Sequence, residues 1–240
     1  NGMSLGENIA AVRARIDEAA RRCGRDPAEI TLVAATKVQT SQTIREAIAA
    51  GITVCGENRV QEMSAHLEDD AYAGARLHFI GHLQTNKVRQ VVGRVDLLES
   101  VSSEKLLRAV DAQAGKLELV QDILLEVNIG GEESKSGITP QEVPELVKTC
   151  QGLEHVRLRG LMAIPPAAAE PGENRKFFAE MYQLYVDIRD NLADNGTVID
   201  CLSMGMSGDF EDAIAEGATL VRVGTALFGP RPPLHRGGTV

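Results

Sequence analysis

In the run TLVAATKV (residues 31–38), every residue except Lys37 is apolar, β-branched or threonine, so an ammonium group stands near the end of a buried-looking strand. A lysine at a strand end ordinarily snorkels to water. A desolvated lysine with another cation nearby can instead lose its proton near neutrality and attack an aldehyde. What bears on the choice lies near the other end of the chain. Ser207-Gly208-Asp209 and Gly224-Thr225 each stand where a β-branched or apolar run gives way to a helical one. The first N–H groups of a helix lack backbone partners and receive phosphate readily. Ser207 or Thr225 alone reads as a plain N-cap. Together, after consecutive strands, they favour a phosphate cradle. An amine nucleophile beside a phosphate cradle is the chemistry of pyridoxal 5′-phosphate (PLP). The rival is a sugar phosphate in a Schiff-base aldolase, which would want paired acid and base groups beside the lysine.

Other suggestive residues carry less. GGEESKSG (130–137) has the order S-K-S-G rather than G-K-[ST], which excludes a triphosphate loop. His82 could act as a general base, but no carboxylate can be placed beside it from sequence. Met204 and Met206 read as packing residues. The four cysteines are far apart and form no C-x-x-C pair, and the five histidines show no metal-ligand spacing. Reduced, mostly buried thiols in a cytoplasmic protein are expected.

These residues need a scaffold. Apolar, β-branched runs at 31–36, 53–56, 77–81, 96–100, 122–128, 157–164, 201–205 and 219–224 are each followed by a helical pattern, the third around NKVRQVVG. An amphipathic helix precedes them. Alternating strands and helices imply parallel pairing with right-handed crossovers. Eight such units predict an α/β fold, a single (β/α)8 TIM barrel with an extra N-terminal helix, whose functional residues gather at the C-terminal strand ends. The competing open sheet lacks its G-x-G-x-x-G fingerprint. One domain is expected over 3–240, with Asn1 and Gly2 read as the remnant of an expression tag. IPPAAAEPGEN (164–174) reads as a long loop after strand six, not a linker.

A net charge of −9 with no basic run argues against nucleic-acid binding, and no apolar stretch is long enough to span a membrane.

Seven motifs in order, AATKV (34–38), GENRVQE (56–62), HFIGHLQTNK (78–87), SKSG (134–137), RGLM (159–162), LSMGMS (202–207) and RVGTALFG (222–229), resemble the pyridoxal phosphate homeostasis proteins. The family pattern usually has Ser at the place of Thr36 and often Tyr at that of Arg59. The resemblance implies a fold type III barrel like the N-terminal domain of alanine racemase, without that enzyme's second domain. It implies that Lys37 holds PLP as a Schiff base and that Ser207, Gly224 and Thr225 grip the phosphate, with a backbone contact from Met206. Asn58 would lie near the O3′ edge, Arg222 would face the pyridine nitrogen, and Ile80 and Met162 would line the ring faces. A cation at the ring nitrogen keeps it unprotonated, which weakens PLP as an electron sink. Racemases offset this with a tyrosine from another domain. Of the three tyrosines, Tyr182 and Tyr185 are expected away from the mouth and Tyr72 at the wrong end of the barrel. The expected function is therefore PLP homeostasis: holding PLP and handing it on, with apo PLP-dependent enzymes as candidate recipients, as a monomer with little or no turnover. The alternatives are a racemase lacking the second domain and the Schiff-base aldolase.

Overall fold

Ser4 starts the first helix with a capping box: its hydroxyl accepts from the Glu7 N–H (3.1 Å) and its own N–H donates to the Glu7 carboxylate (2.8 Å). The helix, α1 (Leu5–Arg22), buries Ile9, Val12, Ile16, Ala19 and Ala20, a stripe at three- and four-residue spacing. In the computed structural model, residues 2–133, 135–192 and 197–230 are described. Asn1, Ser134 of the S-K-S-G motif and the stretch 231–240 with His235 lie outside the described residues.

After α1 the chain alternates. The strands are β1 (Thr31–Ala35), β2 (Val54–Glu57), β3 (Arg76–Phe79), β4 (Leu97–Val101), β5 (Gln121–Glu126), β6 (Val156–Met162), β7 (Cys201–Ser203) and β8 (Leu220–Val223). The helices between and after them are α2 (Ser41–Ala49), α3 (Val60–Glu68), α4 (Glu104–Lys116), α5 (Val143–Gly152), α6 (Arg175–Leu192), α7 (Phe210–Ala215) and α8 (Thr225–Phe228). Each strand pairs in parallel with the next, and β8 pairs with β1, so the sheet closes into the (β/α)8 barrel. Alternate side chains point inward. Val33, Val54, Leu97, Leu124, Met162 and Leu220 form an apolar plug inside the sheet. The larger core lies between the strands and their helices. Burying each such aliphatic side chain stabilises by about 1.5–3 kcal/mol.

Two local expectations change. The third crossover is not an α-helix around NKVRQVVG but a 3-10 segment at Thr85–Gln90. Tight i→i+3 turns eclipse side chains three apart, which lets Val88 and Val91 bury on one side. The first strand ends at Ala35, so Lys37 sits in the following turn rather than on the strand. Thr36 closes that end by directing both its N–H (3.0 Å) and its hydroxyl (3.2 Å) to the Gly56 carbonyl.

Candidate functional site

The turn after β1 carries a half-buried Lys37. Its neighbour Val38 has φ 61°, a left-handed conformation that is uncommon for a β-branched residue. The Val38 N–H donates to Glu62 Oε1 of α3 (2.8 Å). The β1–β8 register, Val33 to Arg222 and Ala34 to Val223, sets the end of β1 beside Gly224. A Cβ added to Gly224 would stand 3.4 Å from the Cβ and the carbonyl oxygen of Ala35.

Ser207 and the start of α8 meet directly. The Ser207 hydroxyl accepts from the N–H groups of Gly224 (3.3 Å) and Ala226 (3.2 Å). Ser207 therefore caps the helix after β8 rather than the one that follows it in sequence. Thr225, exposed, is the first residue of α8 and makes no capping bond of its own. The Met206 N–H donates to Asp209 Oδ1 (2.8 Å), which folds the loop before α7.

The next two strands contribute a second group. Asn58 follows β2, and its buried Oδ1 has no hydrogen-bond partner among the described residues. Only glycine fits at position 81, because a Cβ there would lie 1.9 Å from the Asn58 carbonyl oxygen. Ile80 is buried over Gly56, where a Cβ would come within 2.9 Å of the Ile80 Cδ1. Met162 lies in the apolar plug with no exposed surface.

Beneath these residues is a polar chain that sequence reasoning missed. Arg222, buried, donates to the Ser203 hydroxyl and to the Ala163 carbonyl (2.9 Å). Ser203 donates to Glu99 Oε1 (2.6 Å), and Glu99 Oε2 pairs with His78 Nδ1 (2.6 Å). All four side chains lie inside the barrel wall. The available signal was a glutamate in the fully buried strand LLESV, two residues from inward-facing Leu97. Burial alone would raise the Glu99 carboxyl; the bond from His78, the neighbouring charges and the Ser203 hydroxyl together hold it below its ordinary range. Burial pulls the Arg222 guanidinium down, opposed by Glu99, Glu126 and Asp209, yet an arginine stays cationic.

Glu126, at the end of β5, is pushed up by burial and eased back by Ser136, Arg222, His82 and Lys135. The GGEESKSG loop folds back on this strand: Ser136 donates to Glu126 Oε2 (3.2 Å) and Lys135 to the Pro165 carbonyl (3.3 Å).

Tyr72 corrects another expectation. It does precede β3, but its hydroxyl reaches Glu57, the last residue of β2, at 2.5 Å. Burial and the Glu57 charge push its pKa far above the ordinary tyrosine range. Tyr182 and Tyr185 line a cavity of about 940 Å³ at the opposite, N-terminal end of the barrel. Among the described residues no group of three or more His, Cys, Asp or Glu could hold a metal, and no helix is long and apolar enough to cross a membrane.

The mouth thus combines an amine in a strained turn, helix-start N–H groups converging on a hydroxyl, and a buried cation. Comparison with known proteins agrees in kind. The family model described as alanine racemase, N-terminal domain, matches residues 8–232. The pyridoxal phosphate homeostasis protein of Aquifex aeolicus is 42% identical over 230 residues, covering 95% of this chain and 99% of that one. Its counterpart in Pseudomonas aeruginosa is 44% identical over 95% of this chain and 96% of its own. The solved structure of PipY from Synechococcus elongatus with PLP bound superposes with a TM-score of 0.81 at 32% identity, covering 94% of this chain and 100% of that one.

Proposed function

The chain belongs to the alanine racemase N-terminal domain family and, within it, to the pyridoxal phosphate homeostasis proteins, and from that premise we propose that it binds PLP covalently through Lys37 and serves PLP homeostasis rather than turnover. The observation that carries this reading is the meeting of three neighbouring strand ends: the Lys37 turn after β1 lies beside Gly224, whose N–H already converges with that of Ala226 on Ser207.

The residues fit the group. The two N–H groups that now share a hydroxyl suit a phosphate oxygen, and the orphaned Asn58 Oδ1 is a buried acceptor in want of a donor. Ser207, Gly224 and Thr225 would hold the phosphate, with the Met206 backbone beside them. Asn58 would serve the O3′ edge and Arg222 the ring nitrogen. Ile80 would cover one ring face, and Met162 would support the other from within the plug.

PLP bound to a lysine can act as an electron sink, most strongly with its ring nitrogen protonated. The chain's own groups oppose that use. Arg222 is held by a hydroxyl and a carbonyl, so no direct carboxylate contact cancels its charge where the ring nitrogen would lie. All three tyrosines are committed elsewhere: one to Glu57 and two to the barrel floor. The fitting role is to hold PLP and release it to apo PLP-dependent enzymes. We read the protein as a monomer in a reducing, cytoplasmic setting, in keeping with its free cysteines.

The test is spectroscopic. Protein incubated with PLP should show a visible absorbance band that borohydride fixes onto Lys37. A Lys37→Ala protein keeping the full band would refute the assignment. No exchange at the Cα of amino acids in D2O is expected; Lys37-dependent exchange would favour a racemase instead.

A further inference from the structure

A buried polar cluster outside the barrel wall holds the turn that carries Lys37, and neither the sequence motifs nor the binding reading accounts for it. Glu62 and His66 lie four residues apart on α3, hence on one helix face. Glu62 accepts the N–H of strained Val38. His66 Nε2 lies 3.0 Å from the Gln39 carbonyl, one residue further along the turn. A carbonyl only accepts, so Nε2 carries a proton. The other ring nitrogen, Nδ1, lies 2.7 Å from Glu57 Oε2, the oxygen that Tyr72 also engages. Glu57 has no exposed surface, and its second oxygen has no hydrogen-bond partner among the described residues. The cluster fixes which way the imidazole points, and the imidazole fixes the turn.

A backbone in an unfavourable conformation persists only where its surroundings over-determine it. Val38 meets that description: its N–H and the next residue's carbonyl are both clamped from α3. We propose that His66, oriented by Glu57 and Tyr72, is a positioning residue for Lys37, holding the turn so that the amine meets an incoming aldehyde in one geometry. The proposal rests on the reading that Lys37 receives PLP. Loading joins the lysine nitrogen to the aldehyde carbon and releases the aldehyde oxygen as water, so no oxidant or reductant is needed. The clamp takes no part in those bonds and acts on the approach alone.

Two substitutions separate positioning from simple burial. Gln at position 66 can place a donor where Nε2 stands, keeping the bond to Gln39. Asn can place its amide where Nδ1 stands, keeping the bond to Glu57 and losing Gln39. Positioning predicts that His66→Gln loads PLP within about twofold of the wild-type rate while His66→Asn is slower by about tenfold or more. The readout is the growth of the visible band in stopped flow, with thermal melting recorded alongside. Asn loading as fast as wild type, or both variants slowing equally, would overturn the proposal. Val38→Gly provides a second reading, because it relaxes the strained φ while leaving the cluster intact. Slower loading without a lower melting temperature is expected, and loading at the wild-type rate would count against the clamp. A Lys37→Ala protein that still develops the band would instead remove the underlying PLP reading.

Discussion

The two ends of this barrel both gather arginines, and they treat them oppositely. At the floor, Arg159 donates to Asp122 (2.9 Å) and Asp200 (2.7 Å), and Arg157 pairs with the same Asp122 (2.7 Å). The Asp200 hydrogen bond, helped by Asp122, holds the Arg159 guanidinium even more firmly protonated. Toward the mouth, Arg222 has neutral direct partners among the described residues, with Glu99 one hydroxyl away. The large cavity is at the floor, whereas the amine and the helix-start N–H groups are at the mouth. The proposed site therefore lies at the end opposite the large cavity. Charges at the floor pair with one another, while the mouth keeps a buried cation held by a hydroxyl and a carbonyl. His78 links the two, since it lines the floor cavity and bonds Glu99 within the barrel.

Substitutions on either side can break this contrast. The largest effect is expected at Glu99. Glu99→Gln leaves the buried Arg222 with Glu126 and Asp209 but without the carboxylate it reaches through Ser203, a loss of about 3–5 kcal/mol measurable by urea unfolding. Because the folded carboxyl is held below its ordinary 4.5, its contribution is present above that pH and lost as pH falls through the folded value. The stability gap between wild type and variant should narrow on acidification, and a gap that widened would contradict the ionised relay. Next comes Ser207→Ala, which removes the shared acceptor of Gly224 and Ala226. It should weaken PLP binding by about tenfold, roughly 1.4 kcal/mol. Equilibrium titration followed by absorbance checks it, and undiminished affinity would move the phosphate away from α8. The smallest effect belongs to the floor. Arg159→Met should cost about 1 kcal/mol or less, being partly exposed, and leave PLP affinity unchanged. A large loss of affinity there would mean that the two ends are coupled.

How far each feature could be read in advance follows from the range of the forces involved. All eight strands follow from short apolar, β-branched runs and the amphipathic first helix from a 3.6-residue period, which are local properties. The 3-10 crossover at Thr85–Gln90 was misread because a short valine-rich segment packs tightly against its neighbours, which local pattern does not record. Lys37, Ser207, Gly224 and Thr225 stand out as candidates because a lone cation in an apolar run and the residues of helix caps are written in adjacent positions. Glu99 and Ser203 were not, since they are 104 residues apart and meet only across the closed sheet. The Glu57–His66–Tyr72 cluster spans a short stretch of chain, yet the hydroxyl of Tyr72 reaches the far end of β2 by packing under α3.

By itself, then, the sequence determined the alternation of elements and the residue types available at the strand ends, because both depend on near neighbours along the chain. The tertiary structure decided which charges cancel and which remain. That depends on which strands adjoin once the barrel closes and on how completely water is excluded from between them.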